Sequence, residues 1–354
     1  MLERFNTTTQ PSDEHPLFNN WDVIPEAWYF AFPCKELKKG AVKSLQVQNQ
    51  RLVVFRTKTG TVKALDAFCP HMGTDLSLGK VCGENLQCFF HRWEFNGEGR
   101  CRKIPSLPKS EVDQDLGLRS YPVSEKYGMI WIYAGINPIV PVLEVPDLNG
   151  KSTVFRIGRM NSNRSHHHIS MVNGLDAQHL QTVHGLSLQM SIDVSEQGQE
   201  VEFVLKGPVP KKTCMDRGMR WLFGPHYSYS MRYSQASIAS LTILRDVYFW
   251  HENWKWPRLH MLYAYRPVSE GLSVTQPIYL TEKRSGIFGS VRSWFYLWLT
   301  QRAYYFLKDE DDKIYDHVRF DSKRFLGVDQ TVSRYIRYVN TLQPSSWSSK
   351  KKNR

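Results

Sequence analysis

The sequence predicts an α+β protein: a small N-terminal all-β domain, then a larger domain in which long antiparallel strands precede helices. Three observations lead there. Short alternating runs separated by glycine-bearing turns fill the stretch from Trp28 to Ala134. A proline-rich, extended segment follows at Asn137–Asp147, and beyond it come strand-length apolar stretches and then helical patterns. With 354 residues, 41% of them hydrophobic and 13% aromatic, the chain is long enough for two cores and too apolar to be disordered.

Residues 1–20 are polar and irregular and are expected to be flexible. The first domain, 21–140, reads as strands at Leu52-Val53-Val54-Phe55, Val62-Lys63-Ala64-Leu65 and Met129-Ile130-Trp131-Ile132-Tyr133. The second, 141–344, carries strand-like stretches at Ser237–Phe249, Leu259–Tyr265 and Leu272–Leu280, the last two joined by a turn with Pro267 and Gly271. Helices are expected from Ala303 onward and over Val332–Leu342, and 345–354 reads as a basic, flexible tail. No internal repeat is present.

Two loops of the first domain carry metal-ligand chemistry. Cys69-Pro70-His71 and Cys88-Phe89-Phe90-His91 each hold one thiol and one imidazole, with Pro70, Gly73, Gly79 and Gly83 shaping tight turns. One Cys and one His per loop suit a Rieske [2Fe–2S] cluster, in which two thiolates hold one iron and two imidazoles the other. Structural zinc also takes Cys₂His₂ sets, but zinc fingers pair like ligands, C-x-x-C followed by H-x₃₋₅-H. The other four cysteines, Cys34, Cys82, Cys101 and Cys214, are scattered and form no disulfide framework.

Cys69-Pro70-His71-Met72-Gly73 and Cys88-Phe89-Phe90-His91-Arg92-Trp93 resemble the Rieske domain of the ring-hydroxylating oxygenases. Thr74 and Phe90 stand where respiratory Rieske proteins carry a further disulfide, so the resemblance implies a lower-potential cluster feeding an oxygenase site. Met72 and Arg92 depart from the family's common Arg and Gly, and the C-P-H-M-G form is similar to the steroid-hydroxylating branch.

A second metal site is expected in Asn173-Gly174-Leu175-Asp176-Ala177-Gln178-His179-Leu180-Gln181-Thr182-Val183-His184. Two histidines and a distant carboxylate make the facial triad of non-haem Fe(II) oxygenases. His179 and His184 are five apart, so a regular helix splays them by about 140°, and convergence asks for a widened, π-like turn. Asp176, three residues before His179, falls on the same helical face, within reach of its ring. The D-x-x-H-x-x-x-x-H pattern resembles the oxygenases, where that Asp bridges the catalytic iron's histidine to a cluster histidine of a neighbouring subunit. Apolar residues at 303, 304, 307, 314, 315 and 318 form a helical stripe whose gap is Asp311. A carboxylate turned inward needs a partner, and a metal is one, so Asp311 is the expected third ligand. Asp309, Glu310, Asp312 and Asp316 fall off the stripe and read as solvated.

The resemblance covers Trp28–Leu342 and implies a helix-grip catalytic domain, a homotrimer, and a terminal oxygenase hydroxylating, demethylating or desaturating a hydrophobic cyclic molecule with O2. Its electrons come from NAD(P)H through a ferredoxin or flavin reductase. A Rieske electron carrier without oxygenase activity is the alternative, but leaves the second motif unexplained. The net charge of +12 is spread without a nucleic-acid module, so attraction of an acidic electron donor is the better reading. His166-His167-His168 is expected in a strand, where successive side chains alternate faces and do not converge on a metal. Ser293–Gln301 is apolar but too short to span a bilayer, which leaves core packing, with peripheral membrane contact as the minor reading. The lack of a signal sequence leads to an expected cytoplasmic location.

Overall fold

The computed structural model describes residues 16–113, 115–183, 191–209, 211, 214–245, 248–249, 254–255 and 257–349. The N-terminal region is all β. Trp28–Pro33, Met129–Tyr133 and Val123–Lys126 form a three-stranded sheet. Val42–Val47, Gln50–Arg56, Val62–Asp66 and Ser120–Tyr121 form a four-stranded one. In a second four-stranded sheet, Lys80–Cys82 and Asn85–Gln87 lie between the two Cys/His loops and Glu94–Phe95 and Cys101–Lys103 follow the second. Alternation decides the faces: Leu52 and Val54 pack towards Tyr29, Ile130 and Ile132, whereas Val53 and Phe55 pack towards Leu86 and Phe95 under the loops.

Apart from a short separate pairing of Tyr248–Phe249 and Trp254–Lys255, the described residues of the second region form one large antiparallel sheet. Its strands run in the order Thr153–Ile157, Leu272–Glu282, Leu259–Ser269, Ile238–Ile243, His226–Ser234, Glu200–Pro208 and Ser191–Gln197, with Asn161–Asn163 also paired to Leu272–Glu282. The Leu259–Ser269/Leu272–Glu282 hairpin turns at Gly271, whose φ of 71° is open to glycine at no steric cost. Among the described residues five α-helices accompany the sheet: α1 (His167–Asn173), α2 (Ala177–Thr182), α3 (Cys214–Phe223), α4 (Gly286–Tyr315) and α5 (Gln330–Asn340). Helix α4 lies on the sheet through Leu297 and Tyr304, which pack on Met261 and Tyr279. Helix α5 buries Val332, Tyr335 and Val339 against Phe203, Met231 and Tyr233.

Several expectations are corrected. The histidine run is not a strand: His166 caps α1, and His167 and His168 are its first residues, all three buried. The two expected loose ends are ordered where they are described. Leu17 and Phe18 are buried in the second core, and the Phe18 N–H donates to Asn340 Oδ1 at 2.9 Å. At the other end Ser345 N–H donates to the Ile24 carbonyl, and Trp347 is buried with Tyr29 and Tyr121. The C-terminal segment thus completes the N-terminal core. The helix expected from Ala303 begins seventeen residues earlier, at Gly286, and ends at Tyr315, which leaves Val318 outside it and exposed.

The two regions share a core. Trp28, Phe30, Trp131 and Tyr133 pack with Leu262, Ile278 and Leu280. Arg266 lies 5.0 Å from the Phe30 ring centre and donates to the Gln46 carbonyl, and burial lowers its pKa to about 10.

Candidate cluster loops and metal centre

Both Cys/His loops close in the same way. The Cys69 N–H donates to the Thr74 carbonyl at 2.9 Å and the Cys88 N–H to the Trp93 carbonyl at 2.8 Å, so each loop is clamped five residues on. Each also turns through a left-handed residue, Gly73 with φ 70° and Arg92 with φ 58°. Arg92 therefore occupies a conformation that favours glycine, and its guanidinium lies 5.1 Å from the Phe89 ring centre.

The clamps place Cys69 and Cys88 inside and His71 and His91 outside. Both thiols are buried, unbridged and within hydrogen-bonding reach of each other. Burial pushes the Cys69 thiol up to about 11. The imidazole rings lie 4.5 Å apart at the tip, His71 stacked on Trp93 at 4.6 Å and 5°. Two inner sulfurs and two outer nitrogens fit a [2Fe–2S] cluster, with the imidazole-bound iron nearer solvent. Exposed Phe68, Met72, Phe89 and Phe90 make an apolar collar around this tip.

In the second region, α2 brings His179 to α4. His179 Nε2 stands 3.0 Å from Asp311 Oδ1, and both side chains are largely buried. Asn173, at the end of α1, places its Nδ2 3.1 Å from the same His179 nitrogen. Polar side chains from three helices thus meet at His179 Nε2, and of these the imidazole and the carboxylate are groups that could bind a single metal ion. His184 lies outside the described residues. Helix α2 ends at Thr182, so the widened turn expected between the two histidines is not part of it. Asp309, Glu310 and Asp312 likewise lie outside what is described of side chains, while Asp316 is exposed and accepts the Arg164 N–H.

Asp176 is placed differently from the expectation. It is the N-cap of α2, not an interior residue, and its Oδ1 accepts the backbone N–H groups of Gln178 (2.9 Å) and His179 (3.1 Å). It therefore holds the His179 backbone, while the His179 ring nitrogen Nε2 turns to Asp311 and Asn173.

Asn173 was not singled out from sequence; its one signal is its spacing, six residues before His179. Three tyrosines were also missed, buried Tyr265 and half-buried Tyr263 and Tyr315, whose phenols are held protonated chiefly by burial and further by the Asp311 charge.

The buried trio His166, His167 and His168 has ring nitrogens within 4.8 Å of one another. Its hydrogen bonds nevertheless oppose metal binding. His168 Nδ1 accepts the Asn19 N–H and His166 Nδ1 the His168 N–H, which puts the proton of each neutral ring on Nε2. His167 instead donates from Nε2 to the Ala236 carbonyl. A metal-bound imidazole donates from its second nitrogen, and two of these three rings accept there. They read as core histidines that fasten residues 18–21 to α1, helped by Phe18 on His168 and Trp21 on His166.

Comparison with known proteins gives a likeness for the loop-bearing region and for the fold. A family model described as the Rieske [2Fe–2S] domain matches residues 27–122. The chain is 36% identical over 171 residues to cholesterol 7-desaturase of Bombyx mori, covering 46% of this chain and 36% of that protein. It is 32% identical over 179 residues to the oxygenase subunit of 3-chlorobenzoate-3,4-dioxygenase of Comamonas testosteroni, covering 46% of this chain and 41% of that one. These matches span less than half the length of either relative. Among solved structures, NdmB of Pseudomonas putida CBB5 superposes with a TM-score of 0.68 at 16% identity, over 92% of this chain and 93% of that one. Dicamba monooxygenase bound to dicamba superposes with a TM-score of 0.60 at 21% identity, over 89% and 97%. The likeness of fold therefore extends through both regions.

Proposed function

We propose that this chain, a Rieske-domain protein with the fold of the Rieske oxygenases, is the terminal oxygenase of an electron-transfer system acting on a hydrophobic cyclic small molecule. The observation that carries the reading is the meeting of His179 and Asp311 at 3.0 Å, from helices far apart in sequence, in a chain that also carries the two Cys/His loops. An electron carrier needs only the first region, and leaves the convergence on α2 and α4 without a purpose.

In this reading Cys69, His71, Cys88 and His91 hold the cluster, and His179, His184 and Asp311 hold the mononuclear iron. When bound, the cluster delivers electrons singly and the iron offers the open positions where dioxygen is activated beside substrate. The chain's own residues do the positioning. The loop clamps aim two thiols inward and two imidazoles outward. Asp176 pins the start of α2, which sets the height of His179, and the Asn173 amide lies beside the His179 nitrogen that faces Asp311. Tyr263, Tyr265 and Tyr315 keep bulk water from Asp311 while remaining uncharged.

Asp176 spends one oxygen as a cap. The other is the group that, in a head-to-tail trimer, faces a cluster histidine of the neighbouring subunit and carries the electron path. The apolar collar of Phe68, Met72, Phe89 and Phe90 supports such an assembly, because a neighbouring subunit covers such a surface. A ferredoxin or flavin reductase supplies the electrons. The cholesterol relative and the aromatic content around the site favour a bulky apolar substrate.

Iron and sulfide analysis tests the class. An oxygenase holds three irons and two acid-labile sulfides per chain, whereas a carrier holds two of each. With ferredoxin, reductase and a panel of sterols and aromatic acids, the expected product is heavier by one or two oxygens, or lighter by a methylene or two hydrogens. Two irons per chain and no product across the panel contradict the proposal.

A further inference from the structure

The first half of α4 wears its polarity inside out. Its inward face carries Ser293, Leu297, Thr300 and Tyr304, and the two hydroxyl groups Ser293 Oγ and Thr300 Oγ1 have to donate to the carbonyls of Glu282 and Tyr296. Its outward face carries Ile287 (81% exposed), Phe288 (93%), Val291 (60%), Trp294 (60%), Phe295 and Trp298. At 100° per residue these six fall within about 120° of one another, opposite the buried side, along about 16 Å of helix. A water-facing helix has no reason to present such a stripe.

The charges beside the stripe are mostly positive. Lys283, Arg284 and Arg292 line an open hollow of about 560 Å³ with Glu282, Ser285, Phe288 and Gly289. Glu282, its one acid, pairs with Lys151 at 3.8 Å. The Nε–H of Arg284 is buried with no acceptor among the described residues, and its guanidinium stands 5.9 Å from the Tyr296 ring centre. At the far end Arg302 lies 5.7 Å from the Trp298 ring centre, with its charge still exposed to solvent. Aromatic side chains in a row, flanked by cations, suit the boundary between acyl chains and anionic headgroups. A two-fold contact between copies is a poor match, because it brings Lys283, Arg284 and Arg292 of both to the same place.

We propose that the N-terminal half of α4 is a membrane-surface contact for an anionic phospholipid bilayer. Phe288, Trp294 and Trp298 enter the headgroup–acyl boundary, and the Lys283–Arg284–Arg292 hollow receives a lipid phosphate. The helix lies on the bilayer; no described helix is long and apolar enough to cross one. This contact is independent of the chemistry at His179 and Asp311.

Vesicle flotation of the full-length, iron-loaded protein tests it, with phosphatidylcholine alone and with about one quarter phosphatidylglycerol. Wild type is expected to float with the anionic vesicles, less at high salt, and to stay in solution with phosphatidylcholine. Phe288→Glu/Trp294→Glu is expected to lose about tenfold or more of the binding to anionic vesicles. Arg284→Gln/Arg292→Gln is expected to lose the preference for anionic lipid by a similar factor. Unchanged iron and sulfide content shows that each variant is folded; should the glutamate pair misfold, the arginine pair carries the test. No flotation of wild type, or flotation of both variants like wild type, overturns the proposal. So does sedimentation showing that the stripe mutations instead break up an oligomer of a protein that never binds vesicles.

Discussion

At Arg92 the second cluster loop runs through a left-handed turn with φ 58°, while its counterpart in the first loop is Gly73 at φ 70°. A side chain there costs about 1 kcal/mol against glycine, offset in part by the Phe89 contact. Arg92→Gly is therefore expected to raise stability by up to about 1 kcal/mol, with the cluster's visible spectrum unchanged. Thermal unfolding followed by absorbance checks this, and a lower midpoint contradicts it. Asn173 is the other residue whose role emerges only in three dimensions. Asn173→Ala removes an amide that competes with iron for the His179 Nε2 lone pair, 3.1 Å away, and should leave iron affinity at that site unchanged or raised, without touching the cluster. Iron titration of the apoprotein measures it, and a loss of affinity of about tenfold or more contradicts this role. The sequence pointed to His179 and Asp311 because a ligand spacing and a gap in a helical stripe are local signals. Asn173 carries no such signal, and a spacing of three does not tell a helix cap such as Asp176 from an interior position.

At the scale of elements, the cluster loops depend on the hairpin between them. A Cβ at Gly79 would lie 2.2 Å from the Gln87 carbonyl oxygen, in the residue just before Cys88. Gly79→Ala is expected to cost about 2 kcal/mol or more and to lower cluster occupancy, read from the sulfide content. Full occupancy at wild-type stability would show that the hairpin does not set the second loop. The histidine run makes α1 acid-sensitive. Burial holds His167 at about 3 and holds His166 and His168 well below the ordinary imidazole value. In the unfolded chain such rings titrate near about 6.5. Below that pH the unfolded state takes up protons that the folded state refuses, so stability is lost as pH falls from 6.5 towards 3. Each ring contributes about 1.4 kcal/mol per pH unit within the window. Denaturation series across it should give a slope shallower by one proton in His167→Gln, and an unchanged slope contradicts the assignment. This run was read as a strand because nothing in three identical residues announces a helix start; the contacts with Asn19 and Trp21 decide it.

For the whole molecule, the α+β division and the order of sheets and helices were legible, because alternation, turn residues and proline punctuate the chain strongly. What the sequence hid is how the ends are used. Phe18 bonds to Asn340 and Ser345 to Ile24, partners more than three hundred residues apart, and no local pattern encodes such pairs. The result is a chain closed on itself, with Trp347 in the first core and Leu17 in the second, and with Trp28, Phe30 and Trp131 joining the two regions through Leu262 and Ile278. That shared core joins the region of the cluster loops to the region of the His179–Asp311 pair. The most direct test of this account is Asp311→Ala, with metal content and spectrum measured on the same sample. The account predicts that iron falls from three to two per chain, sulfide stays at two, the Rieske absorption is unaltered and oxygenation ceases. Retention of the third iron in Asp311→Ala, or loss of the cluster with it, would contradict the account.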